Sequence, residues 1–143
     1  MSKYNAHGTL LALGDALVSP TYTTVAQITG LGGPSQSRGT TPVPTHDDSG
    51  GVDKIADALY DGGQVSGTLL YDPAHASHDE STGLQSIMAS GAERPWRITF
   101  PSSLGQFDFN GFLTAFEPTG MDANSGLLRA NFTVEVSGDI TQT

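Results

Sequence analysis

Cysteine is absent from the 143-residue chain, which excludes a disulfide framework, a thiolate nucleophile and a thiolate-ligated metal, and permits a reducing compartment. Cations are scarce. Six Lys and Arg stand against 15 Asp and Glu, for a formal charge of −9, so the surface as a whole repels polyphosphate instead of condensing on it. Ordinary readout of nucleic acid is disfavoured. Long apolar runs are missing too: none approaches the roughly 20 residues that a spanning helix needs. Leu10 to Val18 is broken by Gly14 and Asp15 and has no cleavage-site pattern after it, unlike a secretory leader. These absences predict a soluble chain with no membrane insertion. Abundance lies elsewhere, in 18 Gly and 8 Pro, a combined share above the roughly 12% of an average protein. Strands and turns are favoured over helices. The length suits one core, so residues 1–143 are expected to form a single domain.

Apolar residues recur mainly with period two, the pattern of a strand with one buried face. Thr9 to Leu13 is a short apolar run, and Tyr22, Thr24, Ala26 and Ile28 share one face of the next segment. Gln64 to Tyr71 carries Val65, Leu69 and Tyr71 on one side and stops at Asp72-Pro73, since Pro lacks the ladder donor. The closing strand is the clearest: Leu128, Ala130, Phe132, Val134 and Val136 alternate with Arg129, Asn131, Thr133 and Glu135. A hairpin precedes it, with Trp96, Ile98 and Phe100 running out, Pro101 to Gly105 turning, and Gln106 to Glu117 returning. Within the return strand Phe107 and Phe109 share one phase and Phe112, Thr114 and Phe116 the other, so a bulge at Asn110-Gly111 or a strand buried on both faces is expected.

One helix is predicted over Thr82 to Ser90, where Leu84, Ile87 and Met88 form a core-packing stripe behind acids and hydroxyls and ahead of Gly91. Val52 to Tyr60 has apolar spacing of three and four but is flanked by Gly pairs, which leaves helix and irregular strand both open. Leu31 to Gly51 holds Gly, Pro, Ser, Thr and Asp with almost no large apolar side chain; such a segment buries too little to offset its ordering entropy and is expected to be mobile in a lone monomer.

Chemistry is thin. His75, His78 and Asp79 lie together, as do His46, Asp47 and Asp48, yet neither group has the ligand spacing of a zinc site, and Asp47, Asp48 and Asp53 lack the pattern of a calcium loop. No G-x-S-x-G is present. Gly30-Leu31-Gly32-Gly33-Pro34 runs into Pro-rich coil where a phosphate loop requires a helix. The Phe residues at 100, 107, 109, 112 and 116 lack the basic groove of a stacking platform, so core packing is their expected role. Trp96 reads as a core-edge residue or part of a subunit contact. No enzymatic activity and no cofactor are expected. Eight acids between Asp47 and Glu80 are opposed only by Lys54; they form a solvated solubilising face or a surface that declines to hold an anion.

Thr45-His46-Asp47-Asp48-Ser49, then Ile55-Ala56-Asp57-Ala58-Leu59 with Asp61-Gly62-Gly63-Gln64-Val65-Ser66, then Tyr71-Asp72-Pro73, resemble the tail tube proteins of long-tailed bacteriophages, the lambda-like tail tube family. Gly83-Leu84 at the helix start, Trp96 to Pro101, Phe109 to Glu117 and Leu127 to Gly138 follow the same order, so the resemblance spans about residues 8 to 140.

The resemblance implies a mainly β fold: a sandwich of two antiparallel sheets with one packed helix and a long mobile loop, whose inner sheet joins an inter-subunit barrel. It implies a non-catalytic virion protein that builds stacked hexameric rings, conducts DNA without holding it, and meets tape measure, tail terminator and tail-tip proteins, after assembly in the host cytoplasm. Residues 31–51 become the inter-ring loop, with Leu31, Pro34, Arg38, Pro42, Pro44, His46, Asp47 and Asp48 as contacts. Asp108, Asn110, Arg129, Asn131, Thr133 and Glu135 become candidates for an acidic lumen face. Two other readings of the residues stand beside it: a monomeric β-sandwich binding or adhesion module using loop carboxylates for a ligand or calcium, and a small metallohydrolase using His75, His78 and Asp79.

Overall fold

A computed structural model describes residues 2–47, 49–124 and 126–143. Its elements are β1 (Leu10–Gly14), β2 (Tyr22–Thr24), β3 (Ile28–Gly32), β4 (Thr40–Pro42), β5 (Lys54–Ala56), β6 (Gln64–Leu70), α1 (Leu84–Ser90), β7 (Arg94–Thr99), β8 (Gln106–Thr119) and β9 (Arg129–Gln142). The fold is mainly β. Seven strands make one antiparallel sheet in the order β2-β1-β7-β8-β9-β6-β3, and β4 and β5 form a separate two-stranded sheet.

The 14-residue strands β8 and β9 are the spine. Alternation sets their faces: Ala130, Phe132, Val134 and Val136 are buried while Arg129, Asn131 and Glu135 are exposed. On β8, Phe109 and Leu113 point into the same core, joined by Leu11 and Leu13 of β1, Trp96 and Ile98 of β7, and Val65 and Leu69 of β6. Gly67 pairs with Phe132, and a Cβ there would stand 2.9 Å from the Phe132 ring and 2.5 Å from the Gly30 carbonyl oxygen. Only glycine lets that aromatic approach β6 so closely.

The outer strands β2 and β3 are joined by just Val25, Ala26 and Gln27. Val25 N–H donates to the Leu11 carbonyl (2.8 Å) at one edge, and Leu70 N–H donates to the Gln27 carbonyl (2.9 Å) at the other. Such a short link forces the sheet to roll over on itself, so that its two halves face each other across one core as the layers of a sandwich. The single segment expected over Tyr22 to Ile28 is therefore two strands on opposite edges. Val25, 2% exposed, is the residue that turns inward, and Gln27 adopts a left-handed conformation (φ 62°) at the corner.

In β8 the change of phase falls later than the sequence pattern suggests. The ladder does shift register between Asp108 and Asn110, beside the expected bulge, but the extra residues there lie on β9. Phe109, Gly111 and Leu113 keep one phase inward, and the phase of β8 changes at a second irregularity between Leu113 and Ala115, where the extra residue is Thr114. Phe116 then packs on the core, while Phe112 is left 38% exposed on the outer face. The helix starts at Leu84, two residues later than expected, and has no side-chain N-cap. Its first amides find carbonyls instead, Leu84 N–H at Ser77 and Ser86 N–H at Asp79. Leu84 and Ile87 are buried as α1 packs on β8; Met88, expected in the same stripe, is 36% exposed because the seven-residue helix presents only a narrow face to the sheet.

Candidate functional site

Residues 35–64 form an arm, not an irregular loop. Beyond β3 and β6 the ladder continues through Ser35 N–H to Gln64 O (3.1 Å), a two-way Ser37–Asp61 bridge, Asp57 N–H to Gly39 O (2.9 Å), the β4–β5 pairing, and Val43 N–H to Asp53 O (2.7 Å). β3, the arm and β6 thus make one long hairpin whose far end stands off the sandwich. Val52–Tyr60 resolves as strand β5 followed by extended chain. Every residue of β4 and β5 is exposed on both faces. Along the arm Val43, Val52, Ile55 and Leu59 present apolar side chains to water (41–85% exposed). A two-stranded ribbon without a covered face is marginal by itself.

The expected contacts fall unevenly along this arm. Pro42, Pro44, His46 and Asp47 are on its exposed distal half, and Asp48 lies outside the described residues. Leu31 belongs to β3 and packs on the core, and Pro34 is half-buried at the arm's root. Arg38 is engaged within its own chain, donating to the Asp57 carbonyl (2.8 Å) and lying 5.5 Å over the Tyr60 ring. Hydrogen-bond alternation aims the backbone of Thr40 and Pro42 away from β5 and that of Lys54 and Ala56 away from β4. Pro42 has no N–H, so the β4 edge is blocked and the β5 edge is open.

The outer face of the large sheet is the second surface. Cross-strand pairing lines up Gln64, Glu135 and Phe112 in one row, Ser66 and Thr133 in the next, and Thr68, Asn131 and Glu117 in a third. Arg129 and Thr119 pair below them, and Asn110 pairs with Ser137 above. Asp108 shares this face but is tied down: its carboxylate takes Arg97 Nε at 2.7 Å and Gln106 Nε2 at 3.1 Å. Arg97 in turn lies 4.0 Å over the Tyr22 ring. Burial raises the Tyr22 phenol's pKa, with Arg97 opposing and Asp108 adding to the rise. Of the acids between Asp47 and Glu80, those described lie on the arm or in the loop before α1, leaving β8 and β9 with Glu117, Glu135 and Asp139 against Arg129, beside the Asp108–Arg97 pair.

His75, His78 and Asp79 do come together, for a structural purpose. His78, fully buried, uses both ring nitrogens: Nδ1 accepts from Asp72 N–H (3.1 Å) and Nε2–H donates to the Ala26 carbonyl (2.8 Å). Those partners fix the neutral tautomer protonated at Nε2. Ser77 Oγ accepts from Ala26 N–H (3.2 Å) and bonds to His75 Nδ1 (2.8 Å). The loop therefore clasps the short link between the two sheet edges, and His78 has no lone pair left for a metal. Asp79 accepts N–H groups from Ser81, Thr82 and Gly83 (3.2, 2.9 and 3.1 Å) and the Thr82 hydroxyl. The Thr82 amide above all holds its carboxyl below the usual carboxylate range, against an opposing desolvation. Among the described residues no group of three or more His and acidic residues converges as a metal-ligating set.

No protein-family model matches the chain, and no curated protein matches it. Solved structures do. One is a chain of the tail of an empty gene transfer agent particle, of C6 symmetry: TM-score 0.78, 17% identity, 99% of each chain covered. A second is a chain in the structure of the sheath/tube terminator of an extracellular contractile injection system in the extended state, at TM-score 0.71 and 14% identity over 100% of this chain and 98% of the other. The SPP1 tail tube matches at TM-score 0.59 and 9% identity, over 94% of this chain and 76% of that one. The chain has the fold of tail tube proteins.

Proposed function

We propose that this chain is a structural, non-catalytic subunit of a phage-type tail tube, which closes into hexameric rings and stacks them into a hollow conduit for DNA. The observation that carries the reading is the arm of residues 35–64, exposed on both faces and tipped with uncovered aliphatic side chains, on a sandwich with the tail tube fold. An uncovered ribbon gains its stability from a partner, and a neighbouring copy in the stack supplies one. The C6 symmetry of the gene transfer agent tail supports six subunits per ring. In this reading the protein resides in the virion tail, is assembled in the host cytoplasm, and meets tape measure, terminator and tail-tip proteins at the ends and within the bore.

The outer face of β6, β9 and β8 lines the bore. Its hydroxyls and amides, with Glu117, Glu135 and Asp139 outweighing Arg129, offer phosphate neither a cationic anchor nor a dense acidic wall. Every strong Lys or Arg contact to phosphate would have to break as the duplex slides, and a face of this composition avoids forming one. The test is charge reversal in assembled particles: Glu117→Lys with Glu135→Lys leaves tube length and morphology unchanged and slows DNA release at least tenfold. Release at the wild-type rate overturns the assignment of this face to the bore.

A further inference from the structure

Strand β1 carries unlike features at its two ends. At its start opens a cleft of about 350 Å³ lined by Tyr4, Leu31, Ile98, Phe100, Pro101 and Leu104. It lies where the two halves of the rolled sheet part, with the core residue Ile98 among its walls and Leu104 40% exposed. At the other end, about 16 Å away for five strand residues, the β1–β2 connection projects Leu17 (50% exposed) and Val18 (84% exposed) into water. This loop is built, not loose: the Asp15 carboxylate accepts Thr21 N–H at 2.9 Å across its base, and Ser19 turns the chain with φ 49°. Charge differs in the same sense. Asp15 is the only ionisable group in the loop, whereas the described residues before it hold Lys3 and His7 and no acid.

We propose that Leu17 and Val18 of one copy seat in the cleft of the next copy along the stack, with Asp15 facing the Lys3 side of the cleft. The proposal rests on the stacked-subunit reading and specifies its axial contact. The occupant is a second copy's β1–β2 loop and not its arm, for a directional reason. The arm continues the β3–β6 ladder past Gly33, which itself lines the cleft, so each arm leaves from the cleft end. In a head-to-tail stack it runs alongside the neighbour whose Leu17-Val18 end is presented to that cleft. A protrusion at one end and a complementary hollow at the other make a heterologous contact, which propagates without limit along an axis instead of stopping at a dimer.

The absence of cysteine makes the contact directly testable. The double variant Val18→Cys, Leu104→Cys, assembled and then oxidised, gives a ladder of covalent species extending beyond the dimer on a non-reducing gel, while Val18→Cys with Asn131→Cys gives none. As a second measurement, Val18→Asp keeps the melting temperature of the lone subunit, because Val18 buries nothing there, and raises the concentration needed for assembly at least tenfold. If normal tubes form but the 18–104 pair stays monomeric, or Val18→Asp assembles at the wild-type concentration, the contact is overturned and stacking stands. If the wild type forms no tubes, the stacking reading falls and takes the contact with it.

Discussion

The imidazole of His78 holds the Ala26 carbonyl at 2.8 Å and so fastens the three-residue link that brings the two edges of the sheet together. Its other nitrogen is taken by the Asp72 amide. Replacing it leaves a buried donor and a buried acceptor unmatched and opens a void of ring size. His78→Ala is expected to cost about 2–4 kcal/mol of unfolding free energy, measured by urea denaturation followed through the single buried Trp96. A loss under about 1 kcal/mol would contradict the clasp.

Asp79 organises the turn into α1 through the amides of Ser81, Thr82 and Gly83. Its pKa is depressed in the folded chain. The stabilisation is therefore present above the unfolded carboxylate value near 3.9 and disappears as pH falls through the lower folded value. Asp79→Ala melts below the wild type at pH 7, Asp79→Asn by less, and the differences shrink once the pH drops below about 4. A gap that stays constant from pH 7 to pH 3 would show that the carboxylate charge is irrelevant.

What could be read in the sequence was what is buried on one side only. The Ala130 to Val136 alternation, Val65 with Leu69, and the Leu84–Ile87 spacing all report contact with the core, and the fold class follows from them. The arm escaped because Thr40 to Pro42 and Lys54 to Ala56 are exposed on both faces and leave no period-two signature. Its ladder depends on pairing partners 10 to 29 residues apart that polarity does not mark. Phe112 lies in the phase opposite Phe109, as the spacing predicts, but that phase faces outward; the extra residue Thr114 comes after it and returns only Phe116 to the core side. The polarity of the sheet face could be read from Asn131, Thr133 and Glu135, but the position of the acidic cluster off that face is a matter of topology.

Exposure of the arm gives a contrast in amide exchange. In the lone subunit the amides of β4 and β5 exchange orders of magnitude faster than those of β6, β8 and β9, and in assembled material they gain at least 100-fold protection. Equal protection in both states would mean that no partner covers the arm.

Ile55, 60% exposed at mid-arm, separates folding from assembly. Ile55→Asp is expected to leave the subunit's stability within about 0.5 kcal/mol of wild type while abolishing tube formation at concentrations where the wild type polymerises. Sedimentation checks the second outcome and thermal melting the first.

Negative-stain electron microscopy of the purified chain over a rising concentration series tests the central claim most directly. The account predicts rings and then hollow cylinders of constant diameter with an open bore and sixfold end views. Isolated particles persisting at every concentration, with neither rings nor cylinders, would contradict it.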